Sequence, residues 1–176
     1  MTTPTKTILI IALRPTKWIK NPLGGRASIK VLNKIRVKYG DRYFYAELPL
    51  SSAGEIELYG LLHELQPSGI ISLGNIFWET KVAIEPYAIS MPLFARNGEI
   101  VISRFVKSYL SPQNNKNKSR IGRRFENRIY LGSLTWAANH HEEPVVFLRI
   151  PGLCQRYHHY EEVISVLRAM EHAINQ

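Results

Sequence analysis

The sequence predicts an α/β chain, a three-layer α/β/α single domain spanning residues 1–176 around a mostly parallel mixed sheet. Three observations carry that expectation. Thr7–Leu13 is a continuous apolar run with β-branched residues, the pattern of a strand buried on both faces, and Ile70–Leu73 and Pro144–Ile150 are further apolar strands. Segments with apolar residues at helical spacing lie between them. Strand and helix then alternate along the chain, the order that builds a parallel sheet.

The elements follow in turn. After the first strand, Asn21-Pro22 offers an N-cap and a proline at the first helical position, opening a helix through about Ile35, with Gly24-Gly25 weakening its first turn. Arg42–Leu50, rich in Tyr, Phe and Leu, reads as the second strand. Ser52 and Glu55 have capping-box spacing, and Ile56, Leu58, Leu61, Leu62 and Leu65 continue a helix until Pro67-Ser68-Gly69 stops it. Ile70–Leu73 is a short buried strand ended by Gly74, and Val82–Ser90 and Glu99–Phe105 read as further strands. The polar, turn-rich stretch Tyr109–Arg124 reads as a mobile loop. Asn127–Asn139 is a helix despite Gly132, and Pro144–Ile150 is an apolar strand with one charge, Arg149. A last helix, about His159–Ile174, carries Val163, Val166, Leu167, Met170 and Ile174 on one face.

Composition narrows the class. The chain is 45% apolar and 21% charged, which excludes disordered, collagen-like and disulfide-scaffold chains. Ile8–Leu13 is too short for a membrane span or a signal core, and the lone Cys154 asks for no oxidising compartment. The expected location is cytoplasmic. Net charge is +9, and it is uneven: residues 1–90 carry eleven bases against seven acids, 91–128 nine against two, and 129–176 three against five. Lys116, Lys118, Arg120, Arg123, Arg124 and Arg128 are therefore the candidate anion-binding residues, in a basic polar loop at about 106–124 and the segment just beyond it. Tyr109 and Phe125 interleave the block, as on surfaces that pair phosphates and stack bases, although no nucleic-acid-binding motif accompanies it.

Four stretches, in order, resemble the pyroglutamyl peptidase I (pyrrolidone-carboxylate peptidase) family of cysteine peptidases. Ile8–Ile11, Pro15 and Asn21-Pro22 resemble its first strand and FxPFGG-type loop. Leu48-Pro49 and Gln66–Ile71 with Gly74 resemble its "LPV…KPDxxIxxG" passage. Ile84–Ile89 resembles "IERxAxN", and Ile129–Ser133 with Phe147–Pro151 resembles "xYLCN…FIHVP". The resemblance implies a pyroglutamyl-peptidase-like fold and places the family's catalytic carboxylate at Glu85, its cysteine at Gly132 and its histidine at Arg149. Glycine carries no nucleophile, and a guanidinium cannot act as a base. The substrate loop also departs from the pattern, with Lys17-Trp18 in place of its paired glycines. No catalytic residues are expected on this reading, and the chain resembles a pseudoenzyme. Glu85 and Arg149 are expected to meet in a salt bridge, direct or through one water, in space left partly by Gly132.

Other constellations carry less. Ser133 and Cys154 are alternative nucleophiles without an assignable base. His140-His141-Glu142-Glu143 and His158-His159 lack metal-ligand spacing, so no metal and no cofactor is expected. Three functions stay open: a non-catalytic binding or regulatory protein, a hydrolase with altered catalytic groups, and nucleic-acid or other anionic-partner binding through residues 104–128. The expected partner is an unidentified protein, with nucleic acid as the alternative and no membrane. The resemblance also leaves homo-oligomerisation open.

Overall fold

In a computed structural model, residues 7–15, 26–76, 79–90, 99–109, 124–152 and 158–176 are described. Strand β1 (Ile8–Arg14) leads to helix α1 (Ala27–Tyr39), a 3-10 turn (Gly40–Arg42), strand β2 (Phe44–Pro49), helix α2 (Ser52–Leu65) and strand β3 (Gly69–Ile76). Short strands β4 (Ala83–Glu85), β5 (Tyr87–Ser90) and β6 (Glu99–Ile102) precede helices α3 (Arg104–Tyr109) and α4 (Arg124–Ala138). Strand β7 (Val145–Pro151) and helix α5 (His158–Ile174) complete the chain.

The main sheet has the order β2-β1-β3-β7-β4. Its first four strands are parallel, and β4 runs antiparallel to β7. Strands β1 and β7 are apolar with almost no alternation because helices cover both faces. On one face Ile8, Ile10, Ala12, Val146, Leu148 and Ile150 pack against α1 and α5. On the other, Leu9, Ile11, Leu13, Val145 and Phe147 pack against α2 and α4. The predicted α/β/α layering and mostly parallel mixed sheet are what the chain adopts.

Several local expectations are corrected. Helix α1 runs to Tyr39, past Ile35, and its N-cap is Arg26; Asn21-Pro22 and Gly24-Gly25 lie outside the described residues. Ser51, not Ser52, is the N-cap of α2, with no side-chain cap bond, so the capping box does not form. The Glu55 carboxylate reaches Arg128 of α4 instead, at 2.9 Å. Gly74 does not end β3: it pairs with Arg149 of β7, and the strand continues to Ile76. Its missing side chain serves packing, since a Cβ there would sit 2.7 Å from the Phe147 ring. Val82–Ser90 is two strands rather than one, because Pro86 has no N–H for a ladder. Strand β4 joins the main sheet, while β5 pairs with β6 in a separate two-stranded sheet.

Glu99–Phe105 ends as a strand at Ile102, where Ser103 turns the chain. Its hydroxyl accepts from the N–H of Val106 and donates to the Val145 carbonyl, capping α3 against β7. The predicted loop is therefore helical up to Tyr109, and residues 110–123 lie outside the described residues.

Candidate functional site

Arg149 is the one charge on a strand whose seven residues are all buried. Period-two alternation puts it on the same face as Phe147, toward α2 and α4. Glu85 stands directly opposite Phe147 on antiparallel β4, so it shares that face and lies diagonally beside Arg149. The two meet: Arg149 Nε is 2.6 Å from Glu85 Oε1, the direct bridge the sequence leads one to expect. A second carboxylate completes the group. Glu126, in the first turn of α4, brings Oε2 to 3.9 Å from Arg149 Nη2. A carboxylate is favoured there by the positive end of the helix dipole. Exposure is only 3% for Glu85, 3% for Glu126 and 8% for Arg149, so this is a buried ion cluster.

Neighbouring groups fix its walls. Tyr130, one turn along α4, donates its hydroxyl to the Glu85 carbonyl at 2.8 Å, and its ring lies 5.4 Å from that of Phe147. Burial pushes the Tyr130 phenol well above its ordinary value, and the charge of Glu85 adds to the rise. Asn127 clamps β5 through both ends of its amide: Oδ1 accepts from the Ile89 N–H at 2.8 Å, and Nδ2 donates to the Ile89 carbonyl at 2.7 Å. Gly74 leaves room for the Glu126 carboxylate, whose Oε1 lies 3.3 Å from where a Cβ would be. The space left between Glu85, Tyr87, Asn127 and Phe147 holds about one water.

Gly132 is not part of this site. It lies on the α4 surface facing α2, where a Cβ would approach the Tyr59 hydroxyl at 3.2 Å and Leu58 Cδ2 at 3.4 Å. Six residues along a helix turn a side chain by roughly 240° and move it about 9 Å, so Gly132 and Glu126 cannot face one cavity. The expected opening beside Arg149 therefore comes from Gly74, not from Gly132.

The remaining candidates have other occupations. The Ser133 hydroxyl is buried and donates to the Ile129 carbonyl of its own helix. Arg128 is paired with Glu55, so this member of the anion-binding set joins α4 to α2. Arg104 is paired with Glu142. Arg124 opens α4, its side chain lying outside the described residues, as do Lys116, Lys118, Arg120, Arg123 and Cys154. His140 stacks on Trp136 at 4.4 Å, and the His159 ring bonds the Thr80 carbonyl. Glu126, Asn127 and Tyr130 are the site residues that reading the sequence missed. Their signal was an acid and an amide opening an otherwise apolar helix face.

Solved structures share this architecture. A mutant pyrrolidone carboxyl peptidase from Pyrococcus furiosus superposes with a TM-score of 0.67 at 14% identity, covering 96% of this chain and 97% of that one. The enzyme from Thermococcus litoralis gives 0.61 at 14% identity, covering 94% and 91% of the two chains. Pyroglutamyl peptidase I from Bacillus amyloliquefaciens gives 0.62 at 12%, covering 94% and 92%. The fold is that of the pyroglutamyl peptidases. No family model matches the sequence, and no curated protein does. Within the pyroglutamyl-peptidase-like fold, the buried cluster spans β4, β7 and the start of α4, next to the C-terminal end of the parallel sheet.

Tyrosine burial makes the fold sensitive to alkali. Tyr43, which donates to Glu171 Oε1 at 2.6 Å, is raised by burial and by that bond, as Tyr130 is raised by burial. Both folded-state values lie above the unfolded value of about 10, so their contribution is complete below that pH. It is lost as pH rises from about 10 toward the folded values, at up to about 1.4 kcal/mol per pH unit for each group. Urea unfolding at a series of alkaline pH values should show this decline, and Tyr130→Phe should make it shallower.

Proposed function

We propose that this chain is a non-catalytic binding or regulatory protein of the cytoplasm, a pseudoenzyme built as one domain on the pyroglutamyl peptidase fold. The observation that carries the reading is the buried Glu85–Arg149–Glu126 cluster. The peptidase chemistry implied by the resemblance needs a thiolate and an imidazole beside a carboxylate. Arg149, on the strand that resembles "FIHVP", is permanently cationic and accepts no proton. A slip of six residues in the helix motif places Glu126-Asn127, rather than Gly132-Ser133, on the Cys-Asn pair of "xYLCN", and this register agrees with the side of α4 that faces Arg149. A carboxylate tied to a guanidinium replaces the nucleophile. The cluster then acts as an electrostatic plug that holds β4, β7 and α4 together, leaving the surface of the fold to bind partners.

Purified protein is expected to release no pyroglutamate from a fluorogenic pyroglutamyl amide above the uncatalysed rate. Turnover that survives purification and disappears on Ser133→Ala or Cys154→Ala would overturn the reading in favour of a hydrolase with altered groups. Affinity capture from the native host followed by mass spectrometry identifies the protein partner.

A further inference from the structure

Residues 26–42 carry six bases, Arg26, Lys30, Lys34, Arg36, Lys38 and Arg42, against one acid, Asp41. Most of them sit on α1, whose inner side is fixed by buried Ala27, Val31, Leu32 and Ile35. All six basic residues are exposed. Lys30, Lys34 and Lys38 recur every fourth residue and so form a row with about 6 Å between successive positions. Lys38 is held over two rings, its Nζ 5.6 Å from the centroids of both Tyr39 and Tyr160.

Arg36 and Lys38 suit the last turn of α1, but the rest of the arrangement works against the helix that carries it. Lys30/Lys34 and Lys34/Lys38 are like-charge pairs at the spacing where opposite charges would stabilise. Arg26 stands at the N-cap without a capping bond, and the first turn holds no acid, although the positive end of the helix dipole lies there. Glu171, an acid on neighbouring α5, is already engaged by Arg42 and Tyr43. A helix selected for stability alone would carry acids at several of these positions, so the row points to a polyanionic partner.

We propose that the outer face of α1 binds nucleic acid through its phosphates. The step along the lysine row is comparable to the phosphate-to-phosphate step along an extended strand, and the face offers charge rather than a base-reading pattern. A bilayer fits less well. Val37, 88% exposed at the crown, is the one exposed apolar residue of the helix, too little to sink into lipid. The surface is separate from the buried cluster, and it does not depend on the pseudoenzyme reading.

The test is fluorescence anisotropy of the full chain with labelled RNA and duplex DNA of about 20 units, between about 50 and 200 mM salt. Wild type should bind at low salt. K30Q/K34Q should bind about tenfold more weakly, with a log–log salt slope shallower by about 1.5, the share of two phosphate contacts. Its melting temperature should hold or rise, because both like-charge pairs are relieved. K34Q alone should give about half the slope change, which keeps the test valid if the double variant folds poorly. Absence of wild-type binding at low salt would overturn the proposal. So would equal binding by K30Q/K34Q, a loss confined to R120Q/R123Q/R124Q, or binding to phosphatidylserine vesicles but not to nucleic acid.

Discussion

Replacing Arg149 with methionine is expected to cost about 3–5 kcal/mol of unfolding free energy. Among the described residues, Arg149 is the cation that touches both Glu85 and Glu126. Methionine keeps most of the side-chain length but leaves two carboxylates, each 3% exposed, facing one another across the place of the lost charge. Burial of an uncompensated charge, rather than the strength of the broken contact, sets the size of the loss. Urea unfolding should show the loss as a shift in midpoint, and the loss should shrink on acidification, when protonation removes the uncompensated charge. The triple variant R149M/E85L/E126L should recover to within about 1 kcal/mol of wild type or exceed it, because a hydrocarbon core of similar volume needs no desolvation of ions. An R149M protein as stable as wild type at neutral pH would refute the plug.

That cluster also marks how far the sequence could be read. The central strands were legible because β1, β3 and β7 are buried on both faces and so are written as apolar runs. Arg149 stood out as the single charge in such a run, and its pairing with Glu85 followed from the cost of burying either alone. Glu126 did not stand out. It lies in a stretch dense with bases, where an acid reads as a solvated counter-charge, and only the rotation of α4 shows that it points inward. The same rotation removes Gly132 from the cluster, because it lies on the side of α4 that faces α2. Pro86 was visible, but the division it makes between two sheets depends on which neighbours β4 and β5 find. The basic face of α1 was hidden by averaging. Residues 1–90 sum to a modest positive charge because Glu47, Glu55, Glu57 and Glu64 follow the bases of 26–42 and cancel them in the count, although α1 and α2 lie on opposite faces of the sheet.

Two glycines on α2 should respond to alanine in opposite directions. Alanine ordinarily stabilises a helix interior by about 0.5–1 kcal/mol relative to glycine, since glycine loses more backbone entropy on folding. At Gly60 a Cβ meets nothing within 4 Å, so Gly60→Ala should deliver that gain. At Gly54 the Cβ would run into the Pro49 carbonyl oxygen and fall 3.1 Å from its carbonyl carbon. Both are backbone atoms, so no rotamer change relieves the clash. Nor can the strand end yield easily. Pro49 is paired with Arg14 of β1, its carbonyl accepts from the Ser51 N–H at 2.9 Å, and the Leu50 N–H is bonded to the Arg14 carbonyl at 3.0 Å. The first turn of α2 would have to swing away, pulling Leu58 and Leu62 from the core they share with α4. Gly54→Ala is therefore expected to lose stability near or beyond the top of the roughly 1–3 kcal/mol range typical of overpacking, despite its better helix propensity. Chemical denaturation of the two variants side by side isolates packing from propensity, because both substitutions are the same and lie on the same helix. Equal gains at the two positions would mean that α2 does not approach β2 as closely as described.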